Sequence, residues 1–217
     1  KESSAASDVY KRQVLESLDE DLAADTLEEI DSEYKSEIIK ELSDSKAVEV
    51  LENMPNDEIA DLLDDLNEEE REKILLNLER EDAEEVKELL NYEDETVGSI
   101  MSKEFISVNL DITVGETIDI LKEMQPDEEV MYYIYITDKD EQIQGVVPIR
   151  DLIINDSEIK IKEIMDETVS RVRFDDEINK VIKVAAKYHL NSVPVIDADE
   201  KLIGIVIIHD LIDEFLY

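Results

Sequence analysis

Residues 100–217 repeat themselves, and this duplication constrains the fold more than any other feature. Ile100-Met101-Ser102-Lys103-Glu104-Phe105-Ile106-Ser107-Val108 is answered by Ile164-Met165-Asp166-Glu167-Thr168-Val169-Ser170-Arg171-Val172. Ile143-Gln144-Gly145-Val146-Val147 is likewise answered by Leu202-Ile203-Gly204-Ile205-Val206. The paired glycines lie 59 residues apart and the paired methionines 64, which places a five-residue insertion around Gln125–Val130 of the first copy. Thr113–Met124 and Asp176–Tyr188 carry apolar residues at helical spacing. Tyr132–Ile136 and Val193–Ile196 read as strands, each closed by an acidic turn and followed by a return strand through the glycine. Arg150-Asp151-Leu152 and His209-Asp210-Leu211 then open short helices. Each copy therefore runs β-α-β-β-α.

Residues 1–95 have a different grammar, that of an all-helical chain. Apolar residues mark short amphipathic modules at Leu22–Ile30, Tyr34–Leu42, Ala47–Met54, Ile59–Leu66, Arg71–Leu78 and Ala83–Leu90. In the fourth, Ile59, Leu62, Leu63 and Leu66 fall at i, i+3, i+4 and i+7, one stripe of a helix. Asp21, Ser32, Ser43 or Asp44, Asn56 and Asn67 stand before the modules as N-caps do. Modules this short are unstable alone, so their regular recurrence implies stacking into a small superhelix. The fold class expected is α + α/β, with a helical superhelical domain over 1–95 followed by the two repeated units over 96–160 and 161–217.

Charge supports that division and excludes several functions. Residues 1–95 hold 34 acidic and 10 basic residues, against 26 and 12 in the remainder, for a formal net charge of −38. A body this acidic repels nucleic acid and anionic lipid, so no nucleic-acid partner is expected. Cysteine is absent, which removes disulfides, thiolate metal sites and a cysteine nucleophile, and a reducing compartment fits. The four glycines, at 98, 115, 145 and 204, match neither GxGxxG nor GxxxxGK[ST]. No run of apolar residues approaches the ~18 that span a bilayer. The chain starts at Lys1 without Met and stops inside what reads as a helix, as a fragment would.

The tandem unit, with its Gly-hydrophobic-Val and Asp-hydrophobic-hydrophobic endings, resembles a pair of CBS domains, a regulatory module. Taken with the acidic superhelix, the junction Asn91-Tyr-Glu-Asp-Glu-Thr-Val-Gly-Ser-Ile-Met and the segment Tyr132-Tyr-Ile-Tyr, the whole chain resembles the cytosolic part of the MgtE magnesium channels. That resemblance implies a Mg²⁺ sensor on the cytoplasmic face of the membrane, a homodimer formed through CBS helices, and a transmembrane pore domain of its own in the full-length protein. It implies that Mg²⁺ held between helical and CBS domains closes the gate when intracellular Mg²⁺ is high. Mapped residue by residue, the sensor carboxylates are Asp25, Asp57 and Asp61 on the helical side. On the CBS side they are Asp210 and Asp213, with Glu177 as a further ligand. His189 and Asn179 are neutral where family members can carry acids.

The residues themselves argue in the same direction with less force. Asp57, Asp61, Asp64 and Asp65 crowd the face opposite the Ile59/Leu62/Leu63/Leu66 stripe, where like charges at i,i+4 are mutually destabilising. For either acidic cluster alone a solvated face is the default reading. Two such faces in two domains, with few counter-charges, favour hard cations. Carboxylates without a His or Cys cluster suit Mg²⁺ or Ca²⁺ rather than zinc or copper.

The alternative function is adenine-nucleotide sensing, with ATP or AMP in the cleft of the CBS pair, Asp151 or Asp210 on the ribose and Arg150 near phosphate. Against it, the Ser/Thr that often stands three positions before that Asp is Pro148 in one copy and Ile207 in the other. An enzyme is not expected. His189 and His209 are the only histidines, and no cysteine or phosphate loop accompanies them.

Overall fold

The computed structural model describes residues 14–28, 30 and 32–216, which part between Asn91 and Tyr92 into two units. The first is helical, with α1 (Glu20–Glu28), α2 (Ser32–Glu41), α3 (Asp44–Leu51), α4 (Asn56–Asp64), α5 (Glu68–Leu75) and α6 (Arg80–Leu89). Helices pack on their second neighbours: α1 on α3, α2 on α4 and α4 on α6. This skipping pattern is how short helices stack into a superhelix. The apolar stripe of α4 is buried throughout, with Ile59, Leu62, Leu63 and the following Leu66 all at most 5% exposed.

Helices begin earlier than their apolar residues predict, because polar first turns are stabilised at a helix N-terminus. The α4 helix starts at Asn56, with Pro55 at the N-cap position. Asn56 is therefore not the cap, and its side-chain amide donates to Glu85 at 2.9 Å. Asp19, not Asp21, accepts from the first-turn N–H of Leu22 at 3.1 Å. Ser43 stands at the cap of α3 without capping through its side chain, and its own N–H donates to Glu16. Asn67 does cap, in a reciprocal box with Glu70.

The second unit contains the duplication. In the first copy, β1 (Ser107–Asn109) is followed by α7 (Val114–Met124), β2 (Tyr133–Thr137), β3 (Ile143–Pro148) and α8 (Ile149–Ile154). In the second, β4 (Val172–Arg173) is followed by α9 (Ile178–Tyr188), β5 (Ser192–Ile196), β6 (Leu202–Ile207) and α10 (Ile208–Leu216). Each sheet has three strands, with the middle strand parallel to the first and antiparallel to the third. The acidic turns are identical devices. Asp138 Oδ1 accepts the N–H groups of Asp140 and Gln142, and Asp197 Oδ1 accepts those of Asp199 and Lys201. Glu141 and Glu200 each carry a φ of 64° to complete the turn.

In β2, Ile134, Tyr135 and Ile136 are all buried, because β2 is a central strand covered on both sides. The Tyr135 hydroxyl meets Ser192 Oγ of the other copy at 3.1 Å, and burial pushes the phenol well above its ordinary pKa.

The two copies also exchange their N-terminal segments. Ser102 of the first copy pairs with Ile205 on β6 of the second, and Asp166 of the second pairs with Val146 on β3 of the first. Each methionine of the repeated Ile-Met motif thereby lies over the glycine of the opposite copy. A Cβ on Gly204 would fall 2.9 Å from Met101 Sδ, and one on Gly145 would fall 2.7 Å from Met165 Sδ. One apolar core spans both copies, joining Ile106, Ile134 and Val147 with Ile196, Leu202 and Ile205. The stretch leading out of the junction is fixed to the second copy. Val97 and Gly98 donate their N–H groups to the carbonyls of Asp176 and Phe174, and the rings of Tyr92 and Phe174 lie 5.6 Å apart.

Candidate functional site

The helical unit holds Asp25, Asp57 and Asp61. Asp25 is exposed on α1. Asp57 lies in the first turn of α4, where the helix dipole favours a carboxylate, and is half-buried. Its Oδ1 is enclosed by protein and accepts no hydrogen bond from it. Asp61 follows one turn later on the same helix and is exposed. Residues at this spacing have Cβ atoms roughly 5–6 Å apart, close enough to share a hydrated cation. Asp64, on the same acidic face, is instead claimed by Arg71, whose guanidinium donates to its side chain and to the carbonyls of Leu63 and Asp64. The acidic face of α4 is thus narrower than its sequence implies.

The CBS unit holds the remaining carboxylates. Glu177 is exposed at the N-cap of α9 without capping through its side chain, and its backbone bridges to Thr96. Asp210 is half-buried in the first turn of α10. Asp213 continues that helix, but its side chain lies outside the described residues. Arg150 is exposed at the start of α8, and its Nε donates to Asp151 Oδ1 at 3.2 Å. Asp151 is the more enclosed of the pair, with side-chain exposures of 24% and 81% respectively.

Among the described residues, one set of three metal-ligating side chains converges: Glu129, His209 and Asp210, each offering an atom within 4.8 Å of the others. Sequence reading found only Asp210 of the three. His209 was visible as its neighbour, but nothing in the sequence signals Glu129. It stands in a short 3₁₀ turn (Glu128–Val130) within the insertion, and only the tertiary fold brings it to the second copy. Asp25, Asp57 and Asp61 form no such threesome.

An open apolar groove of ≈ 560 Å³ runs between α9 and α10, lined by Ile182, Ala185, Leu190, Leu211 and Ile212 among others. No described helix is long and apolar enough to cross a membrane.

Known proteins share this organisation. The profile of the MgtE intracellular N domain matches residues 4–95, and that of the CBS domain matches 97–158 and 161–217. The magnesium transporter MgtE of Enterococcus faecalis is 41% identical over 127 residues, and that of Thermus thermophilus 36% over 125. Each match covers 58% of this chain but only 28% of the relative, so the chain represents a fraction of those proteins. A crystal structure of the cytosolic domain of the Mg²⁺ channel MgtE in complex with ATP superposes with a TM-score of 0.91 at 31% identity. That superposition covers 96% of this chain and 85% of the other. The soluble part of a magnesium transporter gives 0.89 at 34% identity, covering 97% and 84%. With a superhelix of short acidic helices leading into a duplicated β-α-β-β-α unit, the chain belongs to the MgtE family of magnesium transporters, as its intracellular N domain and CBS pair.

Proposed function

We propose that this chain is the Mg²⁺-sensing regulatory region of a magnesium transporter, a binding module without catalytic chemistry of its own. The observation that carries this reading is a net charge of −38 in an MgtE chain with carboxylates in the first turns of α4 and α10. Asp57, Asp61 and Asp25 supply ligands from the helical unit, and Asp210, Asp213 and Glu177 from the CBS unit. Mg²⁺ retains several waters and takes only one or two carboxylates, so scattered acids serve it better than a dedicated cage would. Moving a two-state equilibrium from 1:99 to 99:1 needs about 5.5 kcal/mol of differential binding. Ions that each favour the closed state tenfold contribute about 1.4 kcal/mol apiece, so about four weak sites suffice. Weak sites also keep the response within the range of intracellular Mg²⁺, where one tight site would stay saturated.

The pore that such a region gates, and its placement on the cytoplasmic face of the membrane, belong to this same proposal. So does a homodimer formed through the CBS helices. The α9/α10 groove and the exposed Ile153, Ile154, Ile182 and Ile212 support that dimer, being apolar surface that a second copy would cover.

The test is small-angle scattering of the full chain titrated with Mg²⁺, against K⁺ at equal ionic strength. Mg²⁺ alone should compact the particle, and Asp57→Asn with Asp210→Asn should blunt the effect. Equal compaction by K⁺ would reduce the mechanism to charge screening.

A second reading, nucleotide binding in the CBS cleft, is favoured by the ATP held by the 31%-identical cytosolic domain. Here Asp151 would hold the ribose and Arg150 the phosphates. Calorimetry with ATP and AMP on the native chain and on Asp151→Asn tests it, with loss of heat in the variant as the expected result.

A further inference from the structure

We propose that Glu129, His209 and Asp210 form a mixed-donor site for a borderline transition-metal dication of the Zn²⁺, Co²⁺ or Ni²⁺ class within the CBS unit. Their ligand atoms lie within 4.8 Å of one another although the residues come from opposite ends of the duplication. Ligands of such an ion sit at about 2.0–2.2 Å from the metal, hence roughly 3–4 Å apart. Closing the remaining gap takes only rotamer adjustment of side chains that are exposed or half-buried. Water completes the coordination.

The imidazole separates this site from a solvated acidic face. Acids alone select hard cations, whereas an imidazole nitrogen moves the preference toward zinc, cobalt or nickel. The internal duplication provides a built-in comparison. Arg150-Asp151 is the first copy's counterpart of His209-Asp210, and there a guanidinium already neutralises the aspartate. In the second copy that position is a metal-ligating side chain instead. The insertion carrying Glu129 has no counterpart in the second copy either, so donors converge at one end of the pseudosymmetric pair and not at the other.

This site shares Asp210 with the Mg²⁺ reading but does not depend on it. The test is a Co²⁺ titration of the full chain in excess Mg²⁺, read by visible d–d absorption and by displacement with Zn²⁺. One saturable, Zn²⁺-displaceable equivalent is expected. His209→Ala and Glu129→Gln should each weaken it on the order of 100-fold, at least what loss of an outer-sphere partner costs. His189→Ala, which alters the other histidine at the end of α9, should leave it intact. Absence of a saturable band, or equal Co²⁺ affinity in native, His209→Ala and Glu129→Gln chains, overturns the proposal. Mg²⁺-driven compaction, measured by scattering on the same variants, reports separately on the sensor reading and should persist in both.

Discussion

Gly204→Ala adds one methyl group at a place where the neighbouring backbone cannot yield. Its Cβ would stand 2.7 Å from the carbonyl oxygen of Ser102 and 2.9 Å from Met101 Sδ. That carbonyl is held by a reciprocal pair, with Ser102 N–H donating to Ile205 O at 2.8 Å and Ile205 N–H donating to Ser102 O at 2.9 Å. Relief of the overlap requires the pair to open. Two backbone hydrogen bonds at about 0.5–1.5 kcal/mol each, with roughly 1–3 kcal/mol for overpacking, set the cost. Alanine returns only about 0.4–1 kcal/mol by restricting the unfolded chain, leaving a net loss of about 2–5 kcal/mol. Gly145→Ala is the mirror change with a softer neighbour. There the nearest atoms are Sδ and Cγ of Met165, at 2.7 and 2.9 Å, and a methionine side chain swings aside more readily than a carbonyl. Its cost should be about 1–2 kcal/mol. The assay is urea unfolding of the full chain followed by near-ultraviolet tyrosine dichroism, since six of the eight tyrosines lie in residues 92–217. Met165→Ala should partly rescue Gly145→Ala, while Met101→Ala should not rescue Gly204→Ala. Equal losses for the two glycines, or equal rescue, would show that the methionines rather than the Ser102 carbonyl enforce the approach.

Three further changes probe the local devices. Asn67→Ala removes the α5 capping box and should lower the stability of the helical unit by about 1 kcal/mol, read by thermal unfolding at 222 nm dichroism. Tyr135→Phe leaves Ser192 without its buried partner and should cost about 1–3 kcal/mol, whereas Tyr135→Phe with Ser192→Ala should recover much of that in a double-mutant cycle. Glu116 is held below the usual carboxylate range by the N–H and then the hydroxyl of Thr113. Its folded pKa being depressed, its contribution is complete above the ordinary glutamate value of 4.5 and is lost as pH falls through the folded value. The stability gap between native chain and Glu116→Gln should therefore be constant near neutrality and close below about pH 4.5, as measured by urea midpoints across an acid series.

Period and punctuation made most of the architecture legible. The duplicated Ile-Met and Gly-Val motifs fixed the β-α-β-β-α order, and the α4 stripe is buried as its spacing requires. Helix starts were displaced because apolar residues mark where a helix becomes buried, while its first turn is polar and solvated. The Asn56 and Asp21 caps failed for that reason. At the candidate site, Asp210 was readable from the His-Asp-Leu-Ile-Asp run. Its neighbour across the fold, Glu129, was not, because insertions carry no periodicity from which a partner is inferred. The loss of Asp64 to Arg71 was equally invisible, since it depends on how one helix ends and the next begins.

The crossed seating of Met101 on Gly204 and Met165 on Gly145 ties the two copies of the CBS pair into one another. Each copy completes the other's sheet edge, and the two share a single core, so bending between them would break backbone pairs and expose Ile134, Val147 and Ile205 together. Interiors this closely packed move between discrete arrangements rather than flex, so the two copies form one packed body. The chain is also pinned as it enters that body, since Val97 and Gly98 donate to the second copy and the Tyr92 ring lies tilted against Phe174. Between the end of α6 at Leu89 and the pinned Val97, the backbone bears no regular element, and Glu95 holds a φ of 63° there. Within that segment Thr96 is already bridged to Glu177 and the Tyr92 ring lies against Phe174, so the chain is tied to the second copy before the first element of the CBS unit begins.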